Sequence, residues 1–371
     1  MNVVLISETY GRFEKGTAVY VHEVSKNLSK SKNTNVYLFV PKHSKKKKIY
    51  RDKYGRHIFQ IKSNNKKEFL LNLETELDSF FKKETIDLIH CMYGHYFHFL
   101  KKYKKKIIWT CHNLPPAENQ PLFLNNNLIS IFFNQIYFLL IFLKHIYLIK
   151  INPCKIIIVP SKNVYKKLNK YKSFINKKIK VIGNGTNINH IKRKKKNKKF
   201  RYNLLTISSF KYHKNLILIP EILNQLKDIN LKWTIVGNKD QNNYYKLFSK
   251  KVKTYDLKKR LEIRSIISEK NKIQVLEKSD LYVQLSFSEG FGIPFLEARA
   301  SGLNAISTNC GAAKEIIKDL GGSMIKKISS KYIANLILKN IFTTQKINKK
   351  NIQKWEWKTQ SFKLRKIYEK I

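Results

Sequence analysis

The chain has 371 residues, 43% of them hydrophobic, which is enough to bury two cores of ordinary domain size. Its 74 Lys and Arg against 25 Asp and Glu give a formal net charge of +49, which excludes an acidic or charge-balanced surface. The four cysteines, at 91, 111, 154 and 310, contain no CxxC pair; this argues against a disulfide framework or a zinc site and fits a reducing, cytoplasmic setting.

The charge has two readings. One is attraction to a polyanion, either nucleic acid or an anionic membrane surface. The other is a uniform enrichment in Lys, Asn and Ile such as AT-rich codons produce. The densest runs, "HSKKKK" (43–48) and "KRKKKNKK" (192–199), read as solvated loops. No aromatic residues interleave them as stacking platforms for bases, so an anionic membrane face is a better partner than nucleic acid.

In chain order, "NVVLIS" opens at the second residue and leaves no room for a signal peptide. Apolar runs at 3–7, 36–40, 87–93, 106–112 and 155–161 read as buried parallel strands. Val21, Val24 and Leu28 mark one face of a helix between the first two. The apolar segment 128–149 is interrupted by Asn134, Gln135, Lys144 and His145 and lies between two strands of one sheet. A core helix is therefore expected, with a helix dipping one face into a membrane as the alternative to a spanning segment. "VIGNGTNIN" (181–189) closes the series and the basic run follows as a linker. A second series occupies 203–208, 231–237, 261–265, 280–286 and 303–308, with helix patterns such as 215–226 between its strands. The fold class expected is α/β: two Rossmann-like, doubly wound parallel-sheet domains facing a cleft. The expected division is 1–186, a basic linker 187–200, a second domain 201–352 and a closing helix 353–371.

The stretch "FSEGFGIPFLEARASG" (287–302) carries the chemistry. It follows an apolar strand, so Glu289 falls at a strand's C-terminal end. Pro294 suits the first turn of a helix and Gly302 its left-handed end. Gly290 and Gly292 admit a close ligand, the free N–H groups of the helix start form an anion site, and Glu297 is expected within about the first turn. This pattern reads as a diphosphate on backbone N–H groups with a hydroxyl-accepting carboxylate on either side, which describes a nucleotide-sugar. The plain alternative is a helix cap and a surface ion pair. His90, His95 and His98 have poor metal spacing, and no Asp-x-Asp or GxGxxG occurs, so no metal and no cofactor are expected. Two carboxylates on one local turn also do not suit the separate acid and base of a glycosidase.

"SEGFGIPFLEARASG" resembles the E, seven residues, E motif of the retaining family-4 glycosyltransferases, the glycosyl transferases group 1, whose fold is GT-B. "EKGTAVYVHEV" (14–24), "IIWTCHNLPP" (107–116), "VIGNGTNI" (181–188) and "CGAAKEII" (310–317) resemble further segments of that family in the same order. The resemblance implies a hexosyltransferase that needs no metal. Glu297 would bind the ribose, and Glu289 would touch the donor sugar. The backbone around Gly290, Phe291, Gly292 and Ile293 would support the sugar and phosphates. Gly16 would let the N-terminal loop approach the diphosphate, and His112 would contact the transferred sugar or the acceptor. Lys214 would neutralise the leaving group. Many relatives carry arginine where this chain has Ser209, which shifts that duty to Lys214 with His213 or Lys211. The acceptor implied is a glycan or lipid-linked sugar, such as an unfinished surface polysaccharide at the inner membrane face. A nucleotide-sugar epimerase and a non-catalytic basic adaptor on the same scaffold stay open.

Overall fold

The apolar runs become strands of two separate sheets in a computed structural model, which describes residues 1–10, 16–42, 49–92, 98–114, 128–189, 191, 201–238, 243–265, 268–343 and 347–371. The first sheet contains β1 (Asn2–Ile6), β2 (Asn35–Pro41), β3 (Ile49–Arg51), β4 (His57–Ile61), β5 (Leu88–Cys91), β6 (Lys106–Thr110), β7 (Ile156–Val159) and β8 (Lys178–Val181). Their order is β3-β4-β2-β1-β5-β6-β7-β8, parallel throughout except for the β3–β4 pair. The second contains β9 (Tyr202–Ile207), β10 (Leu231–Val236), β11 (Leu261–Arg264), β12 (Leu281–Gln284), β13 (Asn304–Thr308) and β14 (Ser323–Ile325) in the order β11-β10-β9-β12-β13-β14.

Apart from the antiparallel β3–β4 pair, both orders reverse direction once, between β1 and β5 and between β9 and β12, as in doubly wound sheets. Central strands such as β5, β7 and β12 are buried along their whole length, because helices cover both faces. The edge strand β8 alternates Lys178 and Lys180 with apolar residues and is mostly exposed, which guards that edge against further pairing. Local signals fix several helix starts: the side chains of Asn65, Ser161 and Ser268 each accept from a backbone N–H three residues on.

The chain forms two compact units. One holds residues 1–114, 135–185 and 355–371; the other holds 115–134 and Thr186–Lys354. The C-terminal helix, Trp357–Tyr368, therefore packs on the first sheet's unit, its Tyr368 hydroxyl 2.5 Å from His90 Nδ1 in β5. Gly185 admits this return: a Cβ there would lie 2.5 Å from the Trp357 backbone nitrogen.

The segment expected as a core helix forms Leu128–Ile151, but only one face meets the core. Ile146 and Ile149 are buried, whereas Leu139, Leu140, Leu143 and Tyr147 are more than half exposed. The expectation of a buried helix is corrected accordingly. Among the described residues no helix is long and apolar enough to cross a membrane. The basic runs 43–48 and 192–199, His95 and residues 115–127 lie outside the described residues.

Candidate active site

Residues 287–302 fold as expected in outline. After β12 the chain turns through Glu289 and Gly290, and Gly292 takes φ +93° before the helix Ile293–Ala300. Pro294 is the second helical residue, no side chain caps the helix start, and Gly302 ends it at φ +93°. Glu297 is the fifth helical residue, at the junction of the first and second turns of the helix.

The two glutamates are each held by a lysine. Lys214 Nζ lies 2.7 Å from both carboxylate oxygens of Glu289, and the Ser286 hydroxyl donates to Glu289 Oε1 at 2.8 Å. Lys272, from the helix Glu269–Lys278, is paired with the buried carboxylate of Glu297. A small pocket lies past the C-terminal ends of β9 and β12, lined in part by Ile207, Ser208, Lys214, Gln284, Ser286 and Glu289. These adjacent strands are where the strand order reverses, the place at which open α/β sheets bind ligands.

Below the pocket the Glu289–Gly292 loop is fixed to the loop after β13. Ala312 N donates to Phe291 O at 2.8 Å, and Gln284 Nε2 donates to Ser307 Oγ at 2.9 Å. The Thr308 hydroxyl donates to Ser286 O. Burial and, next, the Glu289 charge push the Cys310 thiol up to about 12, so it stays protonated and is no nucleophile near neutral pH. Gly311 makes the approach of the two loops possible. It has φ +54°, and a Cβ would stand 2.4 Å from Phe291 O and 2.9 Å from Glu289 Cβ. Gly311→Ala is expected to cost about 3 kcal/mol or more, lowering the melting transition of this unit by roughly 6–12 °C. Gly55→Ala is the control: φ there is +82°, but the nearest atom is 3.7 Å away in a flexible arginine, so backbone strain alone costs about 1 kcal/mol. Equal losses in the two variants, measured by calorimetry, would contradict the steric account.

In the other unit His112 lies two residues beyond β6, partly buried, its ring edge-on to Tyr20 at 4.7 Å. Behind it runs a buried polar chain. Tyr20 and Thr110 hydroxyls are 3.3 Å apart, Thr110 Oγ1 is 2.7 Å from His90 Nε2, and His90 Nδ1 reaches Tyr368. Hydroxyls thus stand within hydrogen-bond distance of both ring nitrogens of His90. Burial, reinforced by His112, depresses the His90 pKa from 6.5 to about 3. Folded His90 stays neutral while the unfolded chain takes up a proton below pH 6.5, so stability falls as pH drops from 6.5 towards 3. At pH 5 the loss is about 2 kcal/mol from this group. Urea titrations at pH 7.5 and 5 should show that loss in the native chain and not in His90→Gln; identical pH dependence in both would refute the assignment.

Gly16 opens the helix Gly16–Ser29 and is exposed, while residues 11–15 before it lie outside the described residues. Ser209 follows β9 by two residues, and its carbonyl accepts from Lys211 N. His213 is buried in the turn Tyr212–Lys214, and its carbonyl accepts from Phe287 N at 2.8 Å. That bond ties the lysine-bearing turn to the start of the glutamate loop.

Residues 187–353 match the family described as Glycosyl transferases group 1, and residues 15–190 match Glycosyltransferase Family 4. The chain belongs to the group 1 glycosyltransferases. Solved structures agree on its GT-B fold at low identity. Sucrose-phosphate synthase from Thermosynechococcus elongatus is 15% identical with a TM-score of 0.77, covering 100% of this chain and 98% of its own. HepE from Anabaena, in complex with UDP and glucose, is 12% identical at 0.73, with full coverage of both chains. A glycosyltransferase from Rickettsia africae is 18% identical at 0.69, covering 100% and 98%. No curated protein sequence matches the chain.

In this group 1 glycosyltransferase the C-terminal unit brings together Ser209, His213, Lys214, Glu289 and the loop Gly290–Ile293 around one turn-and-helix site. Gly16 and His112 belong to the other unit. Sequence reasoning missed Lys272, Ser286, Thr308 and Gln284. Ser286 had a signal, three residues before Glu289 at a strand end; Lys272 had none among so many lysines.

Proposed function

We propose that this glycosyltransferase moves a hexose-type sugar from a nucleoside diphosphate to a glycan or lipid-linked acceptor, with retention of configuration and without a metal. The observation that carries the reading is the Lys214–Glu289 pair at the strand-order reversal, beside a helix start that no side chain caps. The donor's diphosphate would draw Lys214 away from Glu289 and rest against the helix start, where N–H groups and the helix dipole favour negative charge. Glu289, released from the lysine, would accept hydrogen bonds from the donor sugar, and Glu297 from the ribose. As the glycosidic bond to phosphate breaks, charge grows on the departing oxygen, and Lys214 with the helix start would stabilise it. The leaving phosphate would take the proton of the incoming hydroxyl on the same face, which retains the anomeric configuration. His112, edge-on to Tyr20, would contact the transferred sugar or the acceptor. HepE, with UDP and glucose bound, supports a donor of this class.

The setting proposed is the cytoplasmic face of a membrane, in surface polysaccharide assembly. The test is to incubate the full chain with each common nucleotide-sugar, with and without chelator, in the presence and absence of membrane-extracted acceptors, and to assign the product anomer by NMR. Acceptor-dependent transfer with retained configuration, unaffected by chelator, is expected. Epimerised donor without acceptor, or an inverted product, would contradict the proposal.

A further inference from the structure

The helix Leu128–Ile151 presents a second apolar face that the fold does not use. Ile136, Leu140, Leu143, Tyr147 and Ile151 are 40%, 60%, 52%, 56% and 42% exposed, with Leu139 beside them at 55%. Their spacings of four, three, four and four place them in one stripe about 22 Å long. The opposite side, through Phe142, Ile146 and Ile149, packs into the core of the unit. An apolar patch on the order of 500 Å² lies at the upper end of what monomers expose and marks an interaction surface.

The surroundings of the stripe specify what covers it. No Asp or Glu occurs between Glu118 and Glu221, while residues 128–185 contain 11 lysines. Lys144 and Lys150 are exposed on the helix itself, and Lys172, Lys178 and Lys180 are exposed just beyond it. Lys150 Nζ stands 4.2 Å over the ring of Phe174, which is 46% exposed and extends the apolar surface past the helix end. A second copy of this chain would bring the same lysine-rich segment, in which no acid occurs, against itself, and each copy carries a net charge of +49. Like charges of that density oppose self-association. An anionic bilayer satisfies both parts of the surface, since its acyl region takes the stripe and its phosphates take the lysines.

We infer that the exposed face of Leu128–Ile151, extended by Phe174 and the lysines around it, docks this protein on an anionic lipid surface with the helix lying in the plane of the headgroups. The docking rests on the exposed stripe and its charge; identifying the acceptor as lipid-borne rests in addition on the transferase reading above.

Co-sedimentation with vesicles tests the inference, using the full chain at physiological salt and phosphatidylcholine with or without about one-third phosphatidylglycerol. Native chain should partition onto the anionic vesicles at least ~10-fold more strongly than onto neutral ones. The triple variant Leu139→Gln, Leu140→Gln, Leu143→Gln should lose about 10-fold of that binding while keeping its melting temperature and its affinity for nucleoside diphosphate. Lys172→Gln with Lys178→Gln should weaken binding several-fold and flatten its salt dependence. Unchanged binding of the leucine variant would show unspecific charge attraction and overturn the inference. So would a dimer, seen by analytical ultracentrifugation, that the same leucine changes dissociate. Vesicle binding without any nucleotide-sugar affinity would refute the transferase reading and leave the docking intact; transfer to a soluble acceptor without vesicle binding would do the reverse.

Discussion

Lys214→Ala is expected to lower kcat by about 10²–10³-fold while changing donor KM by much less. Lys214 Nζ sits 2.7 Å from both oxygens of Glu289 in a partly buried site, with the two side chains 17% and 14% exposed. In the absence of donor the lysine therefore neutralises a carboxylate. With donor bound it would exchange that partner for the diphosphate, and its contribution would grow as the glycosidic bond breaks. Losing a preorganised cation at that stage costs about 3–4 kcal/mol of transition-state stabilisation. A lysine that merely held the glutamate loop would show a different pattern. Its loss would lower the melting temperature and disturb donor binding, yet the turnover of bound donor would survive. A kcat within about threefold of the native chain would remove Lys214 from the chemistry.

Glu297→Ala is expected to weaken donor binding by roughly 10–100-fold, the range for losing hydrogen bonds to a charged acceptor. Glu297 is almost fully buried and paired with Lys272, so its carboxylate is held in one place before any ligand arrives. The alternative is that Glu297 and Lys272 form a structural ion pair and nothing more. Removing one partner of a buried pair leaves the other charge uncompensated, so stability should fall in either case. Affinity for a sugar analogue separates the two. If Glu297 accepts from ribose hydroxyls, a 2′,3′-dideoxynucleotide should bind the native chain weakly and lose nothing further in Glu297→Ala. Equal losses for the ribo and dideoxy ligands would assign Glu297 to structure alone.

Long apolar strands were the most legible part of the fold, because buried parallel strands cannot hide their composition. The runs at 3–7, 36–40 and 203–208 all emerged as central strands. Short strands were not legible. β3, β4, β8 and β14 lie at or next to sheet edges, where half-exposed sequences such as "IYR" and "KIKV" carry no continuous apolar run. The helix expected over 215–226 starts only at Ile219. Asn215 takes the left-handed conformation at φ 52° and a short 3₁₀ turn follows, with Pro220 then fixing the true first turn.

The candidate site was legible where backbone demands showed through as glycine and proline. Gly292, Pro294 and Gly302 each adopt the role their residue type suggests. The partners of the two glutamates were not legible to the same degree. Lys214 was singled out by its motif, but its pairing with Glu289 spans 75 positions, and Lys272 lies among many lysines on an otherwise ordinary helix. The long apolar helix was misjudged for a related reason. Its composition is apolar on both faces, so periodicity could not say that one face would remain in solvent.

Calorimetric titration of the full chain with a panel of nucleoside diphosphate sugars addresses the pocket beyond β9 and β12 most directly. One donor should bind with a stoichiometry of one, Glu297→Ala should weaken that binding by roughly 10–100-fold, and Lys214→Ala should change it far less. A panel in which no activated sugar binds, or a donor whose affinity is indifferent to both substitutions, would contradict that expectation.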